Sequence, residues 1–165
     1  MKSEASETSR VQQIYAAIIA AFILNFVPNP LVQIVASLFF IGVFIALYVV
    51  RKLGKPESLT DNHMTYLIRS VWIGGLLVII GTLLGAIYFI GTVGLEDYAR
   101  LGRAAMEQGR PDDFFMVFQQ RYPQEVMIAV LTSLLPGVAY LAFRLAKGLA
   151  RAIKGYRVAN PLSWF

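Results

Sequence analysis

The sequence predicts an all-α integral membrane protein with four transmembrane helices, and three observations lead to that fold class. Of the 165 residues, 57% are hydrophobic and only 15% are charged, which is more apolar surface than a soluble domain of this length can bury. Long stretches without a charge recur, and one of them, residues 71–93, covers about 35 Å as a helix, against roughly 30 Å of hydrocarbon core. Basic residues concentrate beside these stretches, where anionic lipid headgroups attract them.

The first two spans are predicted at residues 11–27 and 31–50, after a polar N-terminal tail at 1–10 to which no structure is assigned. Neither span contains a charged residue. Pro28 and Pro30 lie between them, and proline interrupts a helix because it has no amide donor. The two spans therefore form an antiparallel hairpin, since one helix of their combined length would be too long to cross once.

An interfacial amphipathic helix is predicted at residues 59–70, on the cytoplasmic side of the third span at 71–93. Ser58 followed by Asp61 is a helix start signal, and apolar residues then recur at helical spacing. Trp72 stands where an aromatic anchor at the membrane interface is expected. A single helix running from residue 59 through the third span is the alternative.

Small residues form a stripe along the third span at Gly74, Gly81, Gly85 and Thr92. Gly81 and Gly85 make a GxxxG pair, which allows another helix to approach closely. Packing within a four-helix bundle is the favoured interpretation of this stripe, and homodimerisation through the same face is the alternative.

Residues 94–125 are predicted to form a short helical loop outside the membrane, on the periplasmic side. The pattern indicates one amphipathic helix that ends at Gly109 and a second that opens at Pro111, Asp112 and Asp113. The aromatic residues of the second helix are expected to lie on the membrane surface or to cap the bundle. A partner-binding patch is the sharper alternative.

The fourth span is predicted at residues 126–143, and a basic cytoplasmic tail follows at 144–165. Pro136 lies inside this span and should kink it. Basic residues then recur at spacings of three and four, so the helix leaves the lipid with a basic face: Arg144, Lys147, Arg151, Lys154 and Arg157.

The distribution of lysine and arginine predicts that both termini lie in the cytoplasm of a bacterium. Eleven basic residues lie on the side of the termini and the loop between the second and third spans, against four in the loop at 94–125. Positively charged short loops are retained in the cytoplasm. The predicted location is therefore the bacterial inner membrane, with several passes.

No catalytic, cofactor or metal site is predicted. The chain has no cysteine and a single histidine, His63, so neither thiolate chemistry nor a histidine cluster is available. The predicted spans contain no Asp, Glu, Lys, Arg or His, which disfavours proton-coupled transport. Six residues are candidates for the interface or for binding a lipid headgroup, with simple anchoring preferred: His63, Tyr66, Arg69, Trp72, Arg144 and Lys147.

Residues 62–74, with the sequence NHMTYLIRSVWIG, resemble a family of small, mostly uncharacterised bacterial inner-membrane proteins. The hairpin around Pro28 and the exit FRLAKGL at 143–149 are similar to that family too. The resemblance implies a four-span fold and is carried by a set of six positions: His63, Tyr66, Arg69, Trp72, Arg144 and Gly148. The family is loosely grouped with the four-span protein-import component of the chloroplast inner envelope.

The predicted function is that of an accessory, assembly or interaction partner of other membrane components, and no enzyme is predicted. The expected partners are a bilayer with anionic headgroups and either a membrane protein or further copies of the chain, with no nucleic acid. One alternative is an oligomeric channel or translocation component, which the import family suggests. A second is a protein that binds or modifies lipid headgroups through His63, Tyr66 and Arg69.

Overall fold

The computed structural model describes residues 2–107 and 113–164, and the regular secondary structure within them is entirely α-helical. Six helices follow in order: α1 (Lys2–Leu24), α2 (Pro30–Leu53), α3 (Leu59–Val93), α4 (Leu95–Glu107), α5 (Asp113–Arg121) and α6 (Pro123–Ile153). Three of them, α2, α3 and α6, are long and apolar enough to cross a membrane. The chain therefore has the helices of a multi-pass membrane protein.

The chain divides into two compact units. Unit 1 comprises Met1–Ile73 and Leu141–Phe165, and unit 2 comprises Gly74–Tyr140. Eleven basic and four acidic residues give unit 1 a net charge of +7, whereas four basic and six acidic residues give unit 2 a net charge of −2. Charge is thus strongly segregated between the two units.

Helix α1 begins at Lys2, so the predicted tail at 1–10 is largely helical. The carboxylate of Glu7 accepts a hydrogen bond from the Thr60 N–H at 2.9 Å, which gives the polar turns a tertiary contact. The uncharged part of α1, residues 11–24, covers only about 21 Å. Helix α1 is not among the three helices that are both long and apolar enough to cross a membrane. One face of this part is buried in unit 1, through Val11, Tyr15, Ile18 and Ala21.

The chain turns between α1 and α2 at the prolines that predict a break. Asn29 caps α2, because its side-chain oxygen accepts the N–H groups of Leu31 at 3.0 Å and Val32 at 3.2 Å. Pro30 occupies the first turn, where a missing N–H costs nothing. Apart from two buried residues, α2 is largely exposed and apolar, as expected of a helix whose surroundings are lipid.

The structure has one helix where the sequence predicts two elements, because α3 continues from Leu59 to Val93. Its start is the predicted one: the Ser58 hydroxyl accepts the Asp61 N–H at 3.1 Å. Residues 60–70 are mostly buried rather than exposed along one face, which differs from the predicted interfacial helix. The physical reason is that their polar side chains find partners on α1, on α6 and in the chain after α6.

In unit 2, α4 and α5 form the segment predicted as a helical loop. Tyr122 donates a hydrogen bond to the Asp97 carboxylate, and the ring of Phe118 lies 5.5 Å from those of both Phe89 and Tyr98. The predicted helix boundaries at Gly109, Pro111 and Asp112 lie outside the described residues.

Two glycines of the small-residue stripe lie against the backbone of α6. A Cβ atom on Gly81 would come within 2.5 Å of the Thr132 carbonyl oxygen, and one on Gly85 within 2.6 Å of the Ala129 carbonyl oxygen. Contact at this range is possible only without a side chain. In the structure, this part of the stripe therefore packs within unit 2.

The two ends of the stripe differ from its middle. Gly74 is buried, and its carbonyl oxygen lies 2.7 Å from the position of a Cβ atom on Gly137 of α6. Thr92 is exposed, and its hydroxyl donates to the Tyr88 carbonyl of its own helix at 2.7 Å. The close packing therefore extends over the first three members of the stripe and not over the fourth.

Candidate functional site

A cluster of polar side chains lies inside unit 1 and is the strongest candidate for a functional site. We define this polar cluster as Tyr15, His63, Tyr66, Ser70 and Arg144, none of which has any exposed surface. Helices α1, α3 and α6 supply its members. Because buried polar groups are costly unless they are hydrogen-bonded, the partners of each member indicate what the cluster does.

Both ring nitrogens of His63 are engaged within the protein. Nε2 lies 3.0 Å from the Tyr156 carbonyl oxygen, and Nδ1 lies 3.1 Å from the Tyr15 hydroxyl. A carbonyl oxygen can only accept, so Nε2 carries the proton and Nδ1 accepts from Tyr15. His63 is therefore a neutral link between α1, α3 and the chain after α6. Its side chain is buried within unit 1, and its predicted place at the membrane interface stays a prediction.

Arg144 is held by a closed set of contacts with α3. Its Nε donates to the Ser70 hydroxyl at 3.0 Å, and its guanidinium carbon lies 3.8 Å from the centre of the Tyr66 ring, a cation–π geometry. The Tyr66 hydroxyl donates to the Arg144 carbonyl at 3.0 Å, and the Ser70 hydroxyl donates to the Tyr66 carbonyl at 2.7 Å. Like His63, Tyr66 and Arg144 are buried inside unit 1, and their predicted role at the membrane interface stays a prediction.

Gly148 of α6 provides the space for two tyrosines of the cluster. A Cβ atom at this position would collide with the Tyr15 hydroxyl and would lie 2.8 Å from Cε1 of Tyr66. The resemblance implicates Gly148, and in the structure this glycine allows Tyr15 and Tyr66 to reach their hydrogen-bond partners.

The chain after α6 is fastened across α3. We call residues 154–164 the C-terminal segment. The side-chain amide of Asn62 donates to the Val158 carbonyl at 3.0 Å, and its oxygen accepts the Val158 N–H at 2.7 Å. Together with the bond from His63 to the Tyr156 carbonyl, this pair of bonds makes the C-terminal segment part of the fold of unit 1.

Two predicted residues lie near the surface of unit 1. Arg69 is half-buried, and its guanidinium carbon lies 6.0 Å from the ring centre of Trp164. Trp72 is exposed, and its indole N–H donates to the Tyr48 hydroxyl at 2.7 Å. Both lie beside aromatic side chains of the kind found at membrane interfaces.

Lys147 is the last of the six predicted residues, and it is exposed on α6. Its ammonium group lies 5.6 Å from the ring centre of Phe143. The six candidates therefore do not form one site: three belong to the polar cluster and three lie at or near the surface.

Sequence reasoning did not single out Tyr15, which bonds His63, or Asn62, which bonds the backbone of Val158. A signal for each is present in the sequence: Tyr15 is a polar-tipped residue in an uncharged stretch, and Asn62 directly precedes the only histidine. Neither signal names its partner, because the two partners lie 48 and 96 residues away along the chain.

The arrangement of the polar cluster is suited to holding helices together. It contains tyrosine, histidine, serine and arginine but no carboxylate. Across residues 2–107 and 113–164, no group of three or more His, Cys, Asp or Glu side chains is placed to hold a metal ion. What the cluster offers chemically is a set of bonds between elements that are distant in sequence.

Unit 2 carries a groove between α3 and α6. Its volume is about 480 Å³, and it is lined by five leucine and isoleucine side chains together with Gly81, Thr132 and Pro136. Because its lining is almost wholly apolar, the groove suits a hydrocarbon or a membrane-embedded helix rather than a polar ligand.

No family model, curated protein or solved structure matches the chain. The family resemblance of residues 62–74 therefore stays a prediction, and the functional proposal rests on the geometry of the two units.

Proposed function

We propose that the protein is an accessory or assembly partner of other membrane proteins and acts through its surface rather than through a reaction. The observation that carries this proposal is the use of the polar cluster. His63, Tyr66 and Arg144 are the side chains best suited to chemistry, and their described bonds join α1, α3, α6 and the C-terminal segment. A protein that uses such groups to build its fold is suited to presenting a stable surface.

In this proposal the chain crosses a bacterial inner membrane four times, with both termini in the cytoplasm. Helices α2, α3 and α6 provide three spans, and α1 provides the fourth as the first arm of the hairpin closed at Asn29 and Pro30. The support is the distribution of lysine and arginine: an even number of spans brings Lys2 and Arg10 to the same side as the basic C-terminal region, where the positive-inside rule places them. Three spans would separate them.

The lack of any native cysteine allows this topology to be tested with single introduced cysteines. We expect Ser6→Cys and Leu162→Cys to resist a membrane-impermeant maleimide in intact cells and to react after the membrane is opened. Gln120→Cys, on α5, should react in intact cells. Reaction of Ser6→Cys but not Leu162→Cys in intact cells would indicate three spans and contradict the proposal.

The groove of unit 2 is the surface that we assign to the partner, and the occupant that we propose is a transmembrane helix of another protein. Leucine and isoleucine side chains form most of its lining, whereas Gly81 already packs against the Thr132 carbonyl. In lipid, helices associate through van der Waals packing rather than through a hydrophobic driving force. A groove between two rows of such side chains offers a transmembrane helix a surface of this kind.

Site-specific photo-crosslinking in native membranes tests this assignment. A photoreactive amino acid replaces Leu84 or Leu135 in the groove, and Ile45 on α2 serves as the control, since the three side chains are 54%, 58% and 58% exposed. We expect one discrete adduct with a different membrane protein from both groove positions and none from the control. Adducts with a second copy, with lipid alone, or with the same proteins from all three positions would contradict the proposed partner.

A further inference from the structure

Three hydrogen bonds that the structure describes attach the C-terminal segment to α3. Asn62 makes two of them with the backbone of Val158, at 2.7 Å and 3.0 Å, and His63 makes the third with the Tyr156 carbonyl oxygen at 3.0 Å. Val158 is buried, and the other residues of the segment are exposed or partly exposed. A largely exposed terminal segment opens at a lower free-energy cost than helices packed in a core.

The bonds of His63 depend on the charge of its ring. The ring is neutral in the structure, because Nδ1 accepts from the Tyr15 hydroxyl while Nε2 donates to the Tyr156 carbonyl. A second proton, on Nδ1, removes the acceptor that Tyr15 uses. The side chain also has no exposed surface, and burial disfavours the charged form of an imidazole. Protonation of His63 therefore conflicts with its place in the polar cluster.

The charges around His63 do not compensate for this burial. Neither atom bonded to the ring is a carboxylate oxygen. The Tyr156 carbonyl favours a charged ring, but burial is the larger effect and the charge of Arg151 adds to it. Titratable groups on the surrounding elements include Glu7 and Tyr15 on α1, Arg51 on α2, Asp61 and Tyr66 on α3, Arg144 on α6 and Tyr156 in the C-terminal segment. The two carboxylates in this set already bond a backbone N–H and an arginine.

We propose that a proton taken up by His63 releases the C-terminal segment from α3. Departure of the segment uncovers the Nε2 side of the ring, so that the charged imidazole gains contact with water. The attached form thus binds one proton fewer than the released form. Attachment is therefore independent of pH above about pH 6.5, where histidine in water is neutral, and weakens as the pH falls below that value.

The compartment that supplies the proton is the cytoplasm in the topology proposed above. The release itself does not depend on that topology, because lipid discs are open to the buffer on both faces. A failure of the topology would change the compartment, whereas a failure of the release would leave the topology untouched.

The distance between two spin labels on the full chain in phosphatidylcholine discs tests the release. The labels are attached at Leu53→Cys on α2 and at Leu162→Cys in the C-terminal segment, two exposed positions of unit 1 in a chain without native cysteine. We expect one distance at about pH 7.5, and below about pH 6.5 a second, broad population that rises by up to about tenfold per pH unit. An unchanged distribution down to about pH 5.5 would overturn the proposal.

The matched control is His63→Gln in the same labelled chain. Its amide offers a donor and an acceptor in place of the two ring nitrogens and does not titrate. We expect its distance distribution to stay the same across the whole pH range. If the released population grew equally in this variant, another group would be responsible and the assignment to His63 would be wrong.

A second measurement needs no substitution of His63, so it keeps the proposal testable if His63→Gln fails to fold. His63 is the only histidine of the chain, and nitrogen NMR of protein labelled in histidine therefore reports the protonation of this ring alone. The neutral ring with its proton on Nε2 is expected at about pH 7.5, and the signal of the charged ring should grow in step with the second distance population. A charged ring without a change in distance would show that unit 1 tolerates the charge, which overturns the proposal.

Discussion

Unit 1 and unit 2 are each stabilised from within, and the kind of internal contact differs between them. In unit 1, buried polar side chains join segments that lie 48 to 96 residues apart, through His63, Tyr66 and Asn62. In unit 2, α6 approaches α3 at Gly81 and Gly85, where the absence of a side chain brings backbone against backbone. In lipid, where burying apolar surface provides little drive for helices to associate, these are the two available means. The comparison shows that one short chain uses buried polar bonds in unit 1 and close backbone packing in unit 2.

The difference also divides the surfaces that the two units present. Unit 1 uses its polar groups internally and keeps a strongly basic exterior, whereas unit 2 has a near-neutral charge and an apolar groove. The buried polar groups suit control by a proton, and the apolar groove suits contact with another helix. The two proposals made above therefore fall on different units.

The largest effect is expected from Gly148→Ala, because this substitution disturbs both the close packing at a glycine and the hydrogen bonds of the polar cluster. The added methyl group collides with Tyr15 and Tyr66, so it overpacks the core and displaces hydroxyls that bond His63 and Arg144. We expect the free energy of unfolding, measured by titration with a denaturing detergent in mixed micelles, to fall by about 3 kcal/mol.

The matched control is Gly42→Ala on α2, where the added methyl group meets nothing within 4 Å apart from the backbone of its own helix. This change should be neutral or stabilise by up to about 1 kcal/mol, since alanine favours a helix. Equal effects of the two substitutions would show that Gly148 has no special place in unit 1.

The next largest effect is expected from Gly81→Ala in unit 2. The new methyl group meets the carbonyl oxygens of Thr132 and Ser133, and backbone atoms yield less easily than flexible side chains. We expect a loss of about 2 kcal/mol in the same detergent titration. Gly75 lies six residues earlier on the same helix with open space around it. Gly75→Ala should therefore leave the free energy of unfolding unchanged. A similar loss at both positions would mean that the close approach of α3 to α6 at Gly81 does not set the stability of unit 2.

A third comparison substitutes the same residue type in each unit. Ser70 and Ser133 both donate to the carbonyl four residues earlier, at 2.7 Å, but only Ser70 also accepts from Arg144 Nε, at 3.0 Å. We expect Ser70→Ala to lower the free energy of unfolding by about 1.5 kcal/mol, because a charged donor loses its partner. Ser133→Ala should cost less than about 0.5 kcal/mol, since the back-bond within a helix adds little. Equal losses would show that the polar cluster does not stabilise unit 1 beyond its packing.

Helices α2, α3 and α6 could be predicted from the sequence because a span depends on a local property, the length of chain without a charge. The separate helix at 59–70 could not be distinguished from a continuation of α3. An amphipathic pattern says that one face is polar, but water, headgroups or other helices can all satisfy that face. In the structure, Asn62, His63, Tyr66 and Ser70 are satisfied by the protein itself.

The polar cluster shows the same limit for the candidate site. His63, Tyr66 and Arg144 stand out in the sequence as ionisable or polar residues beside apolar stretches, and the structure brings all three into the cluster. The burial of their side chains could not be predicted, because it depends on partners such as Tyr15 and the Tyr156 carbonyl, which are remote in sequence. Residue type therefore identifies unusual positions. Hydrogen bonds to partners remote in sequence decide whether such a residue is available to a ligand or is used to hold the fold together.

The smallest effect is expected from a polar contact at the surface of unit 2. The hydrogen bond from Tyr122, followed by the charge of Arg100 at 2.7 Å, holds the pKa of the half-buried Asp97 below its ordinary value. A carboxyl group whose pKa is lowered by folding contributes stability above its unfolded pKa, near pH 4, and loses it as the pH falls through the folded pKa. The contact should thus be unaffected at neutral pH and weaken only in acid.

Carbon NMR of the carboxyl group during an acid titration measures this shift directly. Tyr122→Phe should raise the pKa of Asp97 toward the ordinary value, and Arg100→Gln should raise it less, because the hydrogen bond is the larger cause. A larger rise in Arg100→Gln would assign the shift to charge instead. Because 33% of the Asp97 side chain stays open to solvent, which screens its contacts, neither substitution should change the detergent unfolding of the chain at neutral pH, in contrast to Ser70→Ala. A hydrogen bond in this protein therefore matters for stability only where the fold also removes its groups from solvent.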